Sequence, residues 1–243
     1  MTSLLGPADA SDPTALLPTI SQATQRLTAT ARDLADDEWT APSLCAGWSR
    51  GHVLAHVALN AEAIAGVVRG LAGEGAPMYP SAEVRDADIA TLAAAGPNAV
   101  RERLARSSAD LSIAFPSLLK ASPDSVFEIT PGSASRSAGM LALMRLREVE
   151  IHHADLDLDA TWEAWPESTA AAFIAYDAPG WAGAPVRLVA DDVEGATWTI
   201  GAPRGEDVLE VRGPLRALAW WISGRDASAV LSSSSGELPK LEA

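Results

Sequence analysis

The chain has a single cysteine, Cys45, in 243 residues, so it can form no internal disulfide and carries none of the cysteine-based zinc motifs. Positive charge is also scarce. Eighteen Lys and Arg stand against 32 Asp and Glu, a net charge of −14, which argues against nucleic-acid or anionic-membrane partners because basic groups hold both. No uncharged apolar run reaches the ~18 residues of a transmembrane helix. The N-terminus carries Asp9 and Asp12 in place of a basic start and an apolar run, so it does not read as a secretory signal. Gly47 and Gly51 belong to neither a GxGxxG nor a Walker pattern, which removes the phosphate loops. Internal repeats, low-complexity tracts and coiled-coil heptads are missing too. The expectation is a cytoplasmic protein with no nucleic-acid or membrane partner.

What is there begins as helix. Residues 1–12 read as a loose leader, after which Leu16, Ile20, Ala23, Leu27, Ala31 and Leu34 recur at helical spacing up to the acidic stop Asp36 to Glu38. In the connection TAPSLCAGW, Leu44 and Trp48 are expected to fold back onto the helices. Ser49 caps a second helix that Gly73 and Gly75 end. A third spans about Ser81 to Ala95. A fourth spans about Asn98 to Ala121, kinked late by Pro116. The Ser-, Pro- and Gly-rich residues 122–136 read as a surface crossing. A central helix follows, with Ser137 as its expected cap. Beyond Asp159 the pattern changes: a short helix near Pro166 to Tyr176, strand-like runs VRLVADD, ATWTI and DVLEVRG, the helix LRALAWWISGR opened by Pro214, and AVLSSS as a last strand. The fold class is therefore α+β in two unequal domains, helical over 1–160 and mixed over 161–243.

Metal-capable side chains are densest from Arg145 to Asp159. Glu148 and His152 are four residues apart, so a helix stands one above the other, and Asp155 follows three later on the same side. His153 is rotated away, a surface residue or packing neighbour. The stretch Gly47 to Asn60 sets His52, His56 and Asn60 at four-residue steps, with His56 beside Val53 and Val57 and hence toward the core. The simpler alternative is a solvated Glu/His face and a structural core histidine. Two histidines and one carboxylate would leave an open position on zinc, the catalytic arrangement. The same set suits non-haem iron(II), so an oxygenase and a non-catalytic metal-stabilised bundle stay open. HVLAH lacks the glutamate of HExxH, which sets protease chemistry aside. Cys45 reads as a small hydrophobe before a nucleophile, and Trp220 and Trp221 as core. Arg85 and Arg225 flank turns where a guanidinium fork can hold a carboxylate.

Four ordered segments, GWSRGHVLAHVALNA, PMYPSAEVRDADI, LREVEIHHADLDL and ISGRD with SSSSGELP, resemble the mycothiol-dependent maleylpyruvate isomerases. The resemblance implies a DinB-like metal-binding four-helix bundle followed by a small α+β domain. It implies zinc on His56, Glu148 and His152, with His52, Asn60 and Asp155 orienting the ligands. It also implies functional arginines at Arg225 and, from the loop before the third helix, Arg85. The co-substrate would be mycothiol and the substrate a small electrophilic acid. Maleylpyruvate would become its fumaryl isomer by thiolate addition, bond rotation and elimination, or the enzyme would be an S-transferase on another electrophile. The chain departs from the family around Cys45 and at its terminal PKLEA, which bears on substrate choice.

Overall fold

The structure, a computed structural model, describes residues 13–71, 77–201 and 208–239. The expected leader and the glycines at 73 and 75 lie outside the described residues. The fold is mixed and helix-rich, and the chain divides into two compact units, one over Ser11–Ala160 and one from Thr161 onward.

In the first unit, α1 (Pro13–Asp33) buries Leu16, Ile20, Ala23, Leu27 and Ala31, the stripe that three- and four-residue spacing dictates. The acidic stretch after it is itself a 3-10 turn, Asp36–Thr40. Ser49 caps α2 (Arg50–Gly70) by accepting the His52 N–H at 3.4 Å. By length and composition α2 could cross a membrane, yet 67% of that window is buried inside the protein, so its apolarity is that of a core helix. Ser81 caps α3 (Ala82–Ala94) in the same way, and Pro97 opens α4 (Pro97–Ala114), where its missing N–H costs nothing. Pro116 does more than kink α4: the α-helix stops at Ala114, and Phe115–Lys120 runs on as a 3-10 turn.

The 122–136 crossing contains a minimal hairpin, with β1 (Val126–Phe127) antiparallel to β2 (Arg136–Ser137). Ser137 is thus a strand residue, not the cap of α5 (Met140–Asp155). Its hydroxyl instead accepts the N–H of Gly139, which holds the capping position. Laterally, α1 packs on α4 and α5, and α2 on α3, α4 and α5.

His153 is a packing neighbour and not a surface residue. It is 5% exposed, and its Nε2 lies 2.8 Å from Thr30 Oγ1 where α5 meets α1. Burial, with the Arg26 charge adding, pushes its pKa from 6.5 down to about 4. The unfolded imidazole therefore takes a proton near pH 6.5 while the folded one resists it until about pH 4. Stability should fall as pH drops through that window, with the loss, up to about 3 kcal/mol, complete below it. His153→Gln keeps a polar partner for Thr30 but cannot be protonated. It should flatten the pH dependence of the urea midpoint there; an unchanged slope would remove His153 as the cause.

In the second unit, α6 (Glu167–Asp177) precedes β3 (Val186–Ala190), β4 (Thr197–Ile200) and β5 (Leu209–Gly213), followed by α7 (Leu215–Ile222) and β6 (Ser232–Ser233). The strand order is β4-β3-β5-β6, with β3 and β5 parallel and the outer pairs antiparallel. Val186, Leu188 and Ala190 point inward on alternate positions of β3. Trp165 meets Phe173 and Trp220 edge-on, and Trp220 and Trp221, both 3% exposed, are core as expected. Gly213 is required by space: a Cβ there would lie 2.5 Å from Leu231 Cδ2 and 2.8 Å from the Val230 carbonyl oxygen.

Candidate metal centre

Two helices reach the site, and one short loop fixes how they meet. Trp48 N–H donates to the Cys45 carbonyl, and Gly47, at φ +79°, takes the left-handed position that this turn needs. The turn brings the Trp48 ring to 5.4 Å from that of His56, while the Cys45 thiol donates to Asp155 Oδ2 at 3.2 Å. Leu44 does not fold back as Trp48 does; its side chain is 51% exposed, and its N–H donates to the Asp155 carbonyl. Arg50, the first residue of α2, donates to the carbonyls of Leu156 at 2.8 Å and Asp157 at 3.0 Å. Asp157, at φ +54°, sits just past the C-terminus of α5. The start of α2 thereby grips the end of α5 and sets His56 against Glu148 and His152.

His56 Nε2 is 2.8 Å from Glu148 Oε2, and His152 Nε2 is 3.4 Å from the same oxygen. One ligand atom from each of the three lies within 4.8 Å of the others. Burial pushes the Glu148 carboxyl up, but hydrogen bonds from His152 and His56 and their charges outweigh it and hold the group well below the usual carboxylate range. Burial pushes His152 down, yet its bonds to Asp155, Cys45 and Glu148 raise it well above an ordinary imidazole. At His56 burial prevails and lowers the pKa against the pull of Glu148, with the His152 and Arg85 charges adding to it.

The donor set fits a divalent cation. His152 Nδ1 is 2.8 Å from Asp155 Oδ2, a carboxylate with no solvent exposure, which leaves Nε2 facing Glu148. A carboxylate behind the imidazole is the usual support of a metal-bound histidine. His56 lacks such support, since its Nδ1 is buried without a partner; packing against Trp48 orients the ring. Asp155→Asn keeps the shape of the support and removes its charge. Zinc affinity, measured by competition with a chromophoric chelator, should fall ~10- to 100-fold with the fold intact. An unchanged affinity would reduce Asp155 to an anchor of the Cys45 loop.

The other expected site residues fall into different places. His52 turns to the helix cap: its Nδ1 lies 2.8 Å from Ser49 Oγ and accepts the Ser49 N–H at 3.4 Å, completing a capping box. Asn60 accepts from Arg145 Nη1 at 2.9 Å and hydrogen-bonds Tyr79, so it belongs to a buried polar network. In that network burial lowers Arg145 to about 10, against the pull of the Glu148 charge. Burial, with Glu148 adding, raises Tyr79 to about 12. Arg85 lies inside the first turn of α3, not in the loop before it, with its guanidinium 6.0 Å from the Tyr79 ring and Nε bonded to Asp86. Arg225, in the other unit, follows α7: Nη1 donates to the Ser223 carbonyl at 2.6 Å, and the guanidinium lies 5.6 Å from the Trp220 ring. Sequence reasoning missed the contacts of Cys45, Trp48, Tyr79 and Arg145. Arg145 alone had a local signal, standing three residues before Glu148 on an apolar stripe.

A family model described as the mycothiol maleylpyruvate isomerase N-terminal domain matches residues 20–157. No curated protein sequence gives a significant match. Among solved structures, a crystal structure of the mycothiol-dependent maleylpyruvate isomerase is similar at 28% identity and TM-score 0.82, over 95% of this chain and 96% of that one. A histidine-to-alanine mutant of that isomerase matches with the same identity and coverage at TM-score 0.81. With the family model spanning more than half of the residues, and the same fold running through nearly all of the chain, this protein belongs to the mycothiol maleylpyruvate isomerase family.

Proposed function

We propose that the chain is a metal- and thiol-dependent cis–trans isomerase converting maleylpyruvate, or a related unsaturated acid, to the fumaryl isomer with mycothiol as co-substrate. The observation that carries this reading is the convergence of His56, Glu148 and His152, in a chain of this family. Residues 1–160 then form a DinB-like four-helix bundle and residues 161–243 a small α+β domain. The setting is the cytoplasm, where thiols are kept reduced. Three protein ligands leave a position for the thiol. Their side chains, 12%, 18% and 13% exposed, keep one side within reach of a small molecule. Zinc is the ion that the family resemblance favours, and when bound it supplies the charge that keeps a coordinating thiol deprotonated at neutral pH.

Asp155 would hold the proton on His152 Nδ1, so that a cation would displace the proton of Nε2 and take its lone pair. Maleylpyruvate accepts the sulfur at one carbon of its cis double bond, and the π pair moves onto the conjugated carbonyl as an enolate. The resulting single bond turns. The double bond re-forms trans as the carbon–sulfur bond breaks, with no net gain or loss of protons. A protein at net −14 needs local positive charge to hold a dianion becoming an enolate, and Arg85 and Arg225 are the arginines that the family resemblance offers for that role. Tyr79, raised to about 12, stays a phenol at neutral pH and adds no negative charge beside Glu148.

An ultraviolet assay of maleylpyruvate with purified protein tests this directly. Fumarylpyruvate should form only when mycothiol is present. Turnover without thiol refutes the mechanism, a thioether that accumulates makes the protein an S-transferase, and consumption of oxygen makes it an oxygenase.

A further inference from the structure

We propose that a cavity between α1 and α4 is a second binding site, for a small molecule with an apolar body and a carboxylate head. The cavity measures about 1020 Å³ and is lined by none of the His56, Glu148 and His152 side chains. That size suits a small molecule, whose sites run from roughly 300 to 1,000 Å³. Its walls are mainly apolar, with Leu17 on α1 and Ala105 and Ala109 on α4. Arg145 reaches its inner wall from α5.

Arg145 is 1% exposed, and only Nη1 of its guanidinium is engaged, by the Val57 carbonyl and Asn60 Oδ1, both at 2.9 Å. Its Nε and Nη2 are buried with no partner, and so is the hydroxyl of Ser108, which lines the same cavity from α4. Unpaired buried donors are rare and costly in native proteins, most of all on a charged group. These three donor atoms belong to two residues that line one cavity, which makes them a donor set for a carboxylate. The Glu148 charge is felt at Arg145, but that carboxylate is already bonded to two imidazoles. The rim does not compete for the anion. Arg101 is spent on Asp36 and the carbonyls of Ala31 and Leu34, and Arg32 on Asp33. A peptide laid across the two helices would cover the apolar walls but give no reason for a buried cation beneath them.

Octanoate and octan-1-ol, which share a body and differ in the head, separate these cases by titration calorimetry on the metal-loaded protein. Octanoate should bind ~10-fold or more tightly than the alcohol, the difference expected when a charged acceptor meets buried donors. Arg145→Met should erase that preference. Should that variant fail to fold, Ala105→Trp fills the cavity from α4 without touching Arg145. It should abolish octanoate binding while helicity and metal content stay unchanged. Equal binding of acid and alcohol, or no octanoate binding at millimolar concentration, overturns the proposal. So does octanoate binding that survives Ala105→Trp but lapses in His56→Ala, His152→Ala, which would move the ligand to the metal cluster.

Discussion

A His56→Ala, His152→Ala variant is expected to purify folded, free of divalent metal and with turnover reduced on the order of 10³-fold or more. The size follows from the several kcal/mol that a bound cation contributes by charge stabilisation. Folding should survive because the two residues are not what joins the helices. Arg50 and Leu44 tie α2 and its preceding loop to the end of α5 through backbone carbonyls, and α2 buries a row of Val, Leu, Ile and Ala side chains besides. Glu148 would be left with neither imidazole, and its carboxyl should then move up, since burial already pushes it that way. Metal analysis and turnover on one preparation check both halves. Full metal occupancy in the double variant would take the ion away from this cluster.

Arg225→Lys is expected to cost ~10²-fold or more in turnover with fold and metal content unchanged, as removing a donor to a developing anion typically does. The competing role is visible in the geometry: Nη1 donates to Ser223 at the end of α7, where a cation also meets the helix dipole favourably. Lysine can serve that purpose and can stack near Trp220 as Arg225 does. It cannot present a planar fork to a carboxylate. Nearly intact activity in the lysine variant would therefore leave Arg225 as a helix-end residue alone.

Local relations were legible in the sequence, and distant ones were not. Glu148 and His152 could be paired because four residues of helix determine their relation. The Ser49 cap, the strands after Val186 and the change of pattern near Asp159 rest on equally short-range signals. His52 gave no sign of its cap contact for the same reason. Its spacing from His56 is that of a shared helix face, but at the third helical position the Ser49 cap captures its ring. Cys45 meets His152 and Asp155, more than a hundred residues away, and no periodicity reports that. Arg145 stood three residues before Glu148, yet its burial was not legible. An arginine on an apolar stripe reads as a residue that reaches for solvent, and only the packed helices show that it ends buried against Asn60. Ser137 fits a helix cap by residue type, but the β1–β2 pairing takes it first.

The grip of Arg50 on the carbonyls just past α5 has a consequence for the entropy of ligation. His56 and Glu148 are 92 residues apart in the chain, and drawing such a loop closed from an open ensemble carries a penalty that an ion alone would have to overcome. In the folded protein that closure already exists one or two helical turns away, held by neutral carbonyls that do not depend on pH or on metal. A cation arriving there would have only side-chain rotamers left to order. Its intrinsic affinity can go into binding and into the acidity of what it binds, instead of into assembling the chain around it.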